Sequence, residues 1–217
     1  MNKTKNNVLS VNSLSIRRSE RWLFRDLNFE LQSGQIIQVV GHNGCGKTSL
    51  LRTLCGLLLP AEGDYIWQGE DEYTPAYPMF IGHLTAVKPE LSVFENLSLH
   101  PLAEKFATEE AIIKAIAEVN LGNYMDTPAR YLSAGQTRRV GLARLLLSTS
   151  SCWVLDEPFT ALDVQGCRWL EGKIDEFINQ GGAVLLTSHQ PVTLKNSLDI
   201  LNLDDLNSNK SNKDKVA

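Results

Sequence analysis

The sequence predicts an α/β fold: a mostly parallel sheet covered by helices, with a phosphate-binding turn and a helical insert. Three observations carry that expectation. The apolar runs Ile36–Val40, Trp153–Leu155 and Val184–Leu186 are nearly continuous, as in strands buried on both faces. Helical patterns separate them, and strands alternating with helices build a parallel sheet through right-handed crossovers. Directly after the first run comes Gly41-His42-Asn43-Gly44-Cys45-Gly46-Lys47-Thr48.

Residues Met1 to Asn7 lack the apolar core of a signal peptide. Val8 to Ile16 and Leu27 to Leu31 alternate apolar and polar residues, the pattern of half-buried strands. Leu50 to Leu59 is an apolar helical stretch interrupted by Arg52. From about Leu91 to Ser148 the pattern is helical, with helices at Glu109 to Val119 and Ser133 to Leu147. After Asp163, the residues Val164, Cys167, Leu170, Ile174, Phe177 and Ile178 share one helical face. Gly181-Gly182 then stops that helix. From Asp204 the chain is rich in Asn, Ser, Lys and Asp and has little to bury. One domain over 1–205 is expected, with a helical subdomain at about 85–148 and a disordered tail over 206–217.

A strand feeding a glycine-rich turn into a helix is the setting that a nucleotide phosphate loop requires. Glycines let backbone N–H groups curl onto phosphate oxygens, and the helix N-terminus adds partial positive charge. Gly41, His42, Asn43, Gly44, Cys45, Gly46, Lys47, Thr48 and Ser49 are therefore the nucleotide-binding candidates. Lys47 would reach the β- and γ-phosphates and Thr48 would ligate Mg²⁺. Chance would give this pattern in about one chain of this length in a hundred, so a purely structural turn is the weaker reading.

Cys152-Trp153-Val154-Leu155-Asp156-Glu157-Pro158 is a buried strand that ends in two carboxylates. Successive strand side chains face opposite ways, so Asp156 aims at Mg²⁺ and Glu157 at the space beyond the γ-phosphate. Two adjacent anions need a cation, and Mg²⁺ suits a phosphate site. Glu157 is the candidate to polarise the attacking water. Ser133 and Gln136 form the S-x-x-Q capping box of a helix, a start that also offers an anion site.

The remaining composition excludes more than it suggests. A net charge of −4 gives no electrostatic reason to bind nucleic acid. No apolar run approaches the roughly 20 residues that cross a bilayer, so a cytosolic chain is expected. Cys45, Cys55, Cys152 and Cys167 show no C-x-x-C spacing, and the four histidines are scattered, so neither a zinc site nor a redox dithiol is implied.

In order, the phosphate loop, Leu132-Ser133-Ala134-Gly135-Gln136, the strand ending in Asp156-Glu157, Ala161-Leu162-Asp163 and His189 resemble the motif set of ABC-type ATPases. The resemblance implies a P-loop NTPase fold of ABC type, with an antiparallel β region and a helical subdomain beside the parallel core. It implies ATP and Mg²⁺ as ligands, with Thr48 and Asp156 on the metal and Glu157, His189 and Lys47 in catalysis. It also implies a head-to-tail homodimer. Ser133, Gly135, Gln136 and Asp163 of one subunit would face the nucleotide held by Lys47 of the other.

Within that family, Ile81-Gly82-His83, Lys88-Pro89-Glu90-Leu91, Glu95-Asn96-Leu97, Asp156 to Ala161 and Ser188-His189-Gln190-Pro191 are similar to the haem-exporter ATPases of bacterial cytochrome c biogenesis. Trp67-Gln68-Gly69 adds to the likeness. This implies a peripheral subunit on the cytoplasmic face of the inner membrane. Its partners would be a polytopic membrane subunit of the haem exporter and further cytochrome c maturation components, and no nucleic acid. Hydrolysis would drive haem export or release of the haem-loaded chaperone.

Two positions depart from the family pattern. Leu84 stands where members carry a glutamine that helps hold Mg²⁺ and water, which predicts ATP binding with weaker turnover or coupling. Arg17 and Arg18 stand near the place where many members stack adenine on an aromatic ring, and a guanidinium plane can stack on a base. Other readings keep the ATPase and change the cargo to another small molecule, lipid or peptide. A non-transport ABC ATPase is disfavoured, because Lys47 and Leu132 lie too close for a long intervening coiled coil. A non-catalytic nucleotide switch is opposed by Glu157.

Overall fold

The computed structural model describes residues 6–68, 77–100 and 107–208. The alternating N-terminal segments pair as an antiparallel hairpin, β1 (Asn7–Arg18) and β2 (Arg21–Gln32). β3 (Ile36–Val40) then enters a second sheet. β4 (Glu62–Trp67) returns to the free side of β1, giving an antiparallel sheet of order β2-β1-β4.

The second sheet adds β5 (Met79–Ile81), β6 (Cys152–Leu155), β7 (Ala183–Thr187) and β8 (Leu198–Asn202). Its order is β5-β6-β7-β3-β8, and every pairing is parallel. Every residue of β6 and β7 is buried, which is why their sequences run apolar without alternation. β5 has only three residues, and the edge strand β8 leaves Ile200 58% exposed, so neither shows the long buried run of the central strands.

α1 (Lys47–Leu54) buries Leu50, Leu51 and Leu54 against the first core. The apolar pattern ran on to Leu59, but the helix stops at Leu54. Gly56 takes a φ of 72° just beyond, and Leu57 to Leu59 lie exposed. Between β5 and β6 come α2 (Val93–Ser98), α3 (Glu109–Glu118), α4 (Ala134–Ala143) and a 3₁₀ turn over Arg144–Leu147. No strand lies in that stretch among the described residues. These helices share their own core of Val93, Leu97, Ile112, Ile116 and Val140.

α5 (Val164–Asn179) buries Leu170, Ile174 and Ile178. Val164, placed on the same face by periodicity, is 69% exposed, so the buried face begins beyond the first residue of the helix. The Gly181 N–H donates to Ile178 O and the Gly182 N–H to Phe177 O, both at 2.9 Å, a paired cap closed by Gly181 at φ 95°. Gly182 has a second reason to be glycine. A Cβ there would fall 2.4 Å from the Phe177 ring, which stacks on Trp153 at 3.9 Å.

The stretch expected to fray from Asp204 instead begins as a helix, α6 (Leu203–Ser208), anchored by fully buried Leu203. The rest of the expected tail, 209–217, lies outside the described residues, as does Gly69. Among the described residues, no helix is long and apolar enough to cross a membrane.

Candidate functional site

The C-terminal end of β3 opens into the glycine-rich loop, where Gly41, Gly44 and Gly46 all take positive φ. Gly46, at φ 115°, is also the N-cap of α1, and a Cβ there would press on Leu23 and the Phe24 ring at 3.1–3.2 Å. Only glycine lets the loop lie that close to β2. Lys47 Nζ donates to Gly41 O at 2.7 Å and His42 O at 3.2 Å, folding back over the loop.

The end of β6 supplies the carboxylates. Asp156 is 1% exposed, and its Oδ1 accepts from Thr48 Oγ1 at 3.1 Å and from Thr187 Oγ1 at 2.9 Å. Its Oδ2, beside the loop, is buried with no hydrogen-bond partner. Glu157 takes φ 51°, a left-handed conformation that costs a non-glycine residue about 1 kcal/mol. Both sides of it are fixed. Its N–H donates to Thr187 Oγ1 at 2.9 Å, and its carbonyl accepts from Arg138 at 2.7 Å. The side chain accepts the His189 N–H at 3.0 Å and lies 3.5 Å from His189 Nε2.

Gly44, Gly46, Lys47, Thr48, Ser49, Asp156, Glu157 and His189 line one cavity of about 420 Å³, together with Arg18, Leu23, Asn43, His83 and Thr160. The loop residues Gly41, His42 and Cys45 are not part of its lining. Of the two arginines considered for base stacking, Arg18 reaches this cavity. The Arg17 guanidinium sits 5.6 Å from the Trp22 ring centre. His83 lines the cavity as well, whereas Leu84 is 78% exposed.

Ser133, Gly135, Gln136 and Asp163 do not join that cavity. They line a second one, also of about 420 Å³, with Asn120 and Arg139. Ser133 and Gln136 make the reciprocal cap of α4: Ser133 Oγ accepts the Gln136 N–H and Gln136 Oε1 accepts the Ser133 N–H. Gly135 packs against the Ala161 carbonyl, where a Cβ would meet the oxygen at 2.8 Å. Asp163 caps α5 through the Gly166 N–H at 2.8 Å and pairs with Arg139 at 2.7 Å. The Gly166 N–H first, then Arg139, hold its carboxyl below the usual carboxylate range.

Three residues here went unread in the sequence. Thr187 carried a signal, being the polar terminus of an otherwise apolar run. Arg138 bonds only main-chain carbonyls, which leave no side-chain pattern to find. Asp204 sat in the stretch read as tail, yet its carboxylate accepts the His42 N–H at 3.0 Å and faces His42 Nδ1 at 2.6 Å.

Comparison with known proteins identifies the family and the fold. Residues 24–160 match the ABC transporter family model. A cytochrome c biogenesis ATP-binding export protein CcmA from Histophilus somni is 42% identical over 206 residues, covering 92% of this chain and 94% of the relative. Its Aliivibrio fischeri counterpart is 45% identical over 188 residues, covering 84% and 92%. Among solved structures, a putative ABC transporter ATP-binding protein from Pyrococcus furiosus superposes with a TM-score of 0.76 at 25% identity, covering 91% of this chain and 98% of that one. A dimeric bacterial ABC transporter cassette gives 0.76 at 20% identity, covering 90% and 94%.

Proposed function

The chain belongs to the ABC transporter family as an ABC-type ATPase, and on that premise we propose that it is the ATP-hydrolysing subunit of a membrane export complex for cytochrome c biogenesis. One observation carries the catalytic part. Asn43, Gly44, Gly46, Lys47, Thr48 and Ser49 line one cavity with Glu157 and His189, and Ser133, Gly135, Gln136 and Asp163 line another with no residue in common. Each cavity is half of a nucleotide site, and two copies set head to tail complete both.

Lys47 and the loop N–H groups bind the β- and γ-phosphates, and Glu157 orients the water held near His189. Thr48 and Asp156 are hard oxygen donors, and the unpartnered Asp156 Oδ2 fits them to Mg²⁺. Bound Mg²⁺ would neutralise charge on the phosphates. Ser133 and Gly135 bring a helix N-terminus to the partner's γ-phosphate. Arg18, rather than Arg17, stacks on the adenine.

The export role rests on the CcmA relatives, whose identity spans most of both chains. On this reading the subunit works peripherally, on the cytoplasmic face of the inner membrane under a polytopic CcmB-like subunit, with other cytochrome c maturation components. The test is complementation of a bacterium that lacks its own ATP-binding subunit for cytochrome c maturation. The parent chain should restore covalent haem attachment to cytochrome c and co-purify in detergent with the membrane subunit. Glu157→Gln should co-purify without restoring attachment. Recovery with an unrelated permease instead would overturn the export assignment.

A further inference from the structure

We propose that Arg138 is a positioning residue that ties the Ser133 tip of α4 to the main chain of Glu157, so that occupancy of one half-site is felt at the other. This rests on the reading of Glu157 as the residue that orients water.

Arg138 is 3% exposed, and its guanidinium bonds five main-chain carbonyls. Two follow β5, at Gly82 (2.8 Å) and His83 (3.4 Å). Three follow β6, at Asp156 (3.2 Å), Glu157 (2.7 Å) and Pro158 (3.1 Å). A planar fork of donors suits this task, and a lysine could serve only part of it. Burial lowers the guanidinium's pKa, while the Asp156 and Glu157 carboxylates pull it back up. The strongest contact falls on Glu157, whose left-handed backbone needs holding.

Arg138 lies about one and a half turns along α4 from the Ser133 cap. A rigid helix that shifts when its tip is loaded therefore moves the group that grips Glu157. Arg144 gives an internal control. It is 6% exposed and holds the same β5 connection through Thr85 O (2.8 Å) and Ala86 O (3.1 Å), but it makes no bond to residues 156–158.

The experiment measures steady-state ATPase kinetics and melting temperature for the full chain carrying Arg138→Lys, Arg138→Gln or Arg144→Lys. Arg138→Lys should lower kcat about tenfold with KM for ATP changed less than about twofold. Arg144→Lys should keep kcat within about twofold of the parent, whatever its melting temperature. In a double variant, the kcat losses of Ser133→Ala and Arg138→Lys should be non-additive. If Arg138→Lys does not fold, Arg138→Gln carries the same comparison. The proposal is overturned if Arg138 variants lose no more kcat than Arg144→Lys, if KM rises as kcat falls, or if the two losses simply add. Glu157→Gln separates the levels. Parent-like turnover there removes the base assignment and this inference with it. Arrested turnover there, beside an unaffected Arg138→Lys, removes only the inference.

Discussion

Thr187 donates its hydroxyl proton to Asp156 Oδ1 at 2.9 Å, and its own hydroxyl oxygen accepts the Glu157 N–H at 2.9 Å. One fully buried side chain on β7 thus sets both carboxylate-bearing residues at the end of β6. Thr187→Val keeps the shape and removes both bonds, leaving the Glu157 N–H unsatisfied. It should cost about 1–3 kcal/mol of stability, read by denaturant unfolding, and lower kcat more than KM. Thr187→Ser should recover most of both.

Asp204 holds the first turn of the phosphate loop from outside, through the His42 N–H and ring. Asp204→Ala should weaken ATP binding about three- to tenfold, the net size of one ordinary hydrogen bond. The melting temperature should barely move, since this pair is largely exposed. Titration with a fluorescent ATP analogue reads the first effect and calorimetry the second.

What the sequence made legible follows from local rules. Continuous apolar runs marked the central strands, and the loop glycines, Ser133 with Gln136, and Asp156 with Glu157 each announced a local geometry. Asp204 and Arg138 were invisible for the opposite reason. Their partners lie 162 and 18–56 residues away, and a carbonyl acceptor belongs to every residue type alike. The over-long helix reading at Leu50 to Leu59 failed because hydrophobicity marked the segment while Gly56 ended it.

His100 shares a cavity with Lys88, Glu95 and Arg144. Burial first, then the Arg144 charge, lowers its pKa to about 4 from 6.5. The unfolded chain therefore binds a proton near pH 6.5 that the folded chain refuses until about pH 4. Its contribution is full above pH 6.5 and is lost as pH falls toward 4, by about 2 kcal/mol once partial solvent access is allowed for. Unfolding of the parent and His100→Gln, compared from pH 7 to pH 4.5, should show the parent's stability falling faster.

Leu84 offers no ligand atom and is 78% exposed, while neighbouring His83 lines the cavity. Leu84→Gln should leave ATP affinity within about twofold and raise turnover, or its stimulation by the membrane subunit, severalfold. Unchanged rates in both conditions would mean that the leucine weakens nothing.

Sedimentation of the Glu157→Gln chain, with and without saturating Mg²⁺ and ATP and with its membrane subunit present, measures the shared site directly. The expected result is a dimer that forms only with ATP and holds two nucleotides, and that Ser133→Arg abolishes. A chain that binds ATP yet stays monomeric under every one of these conditions would contradict the joining of the two cavities.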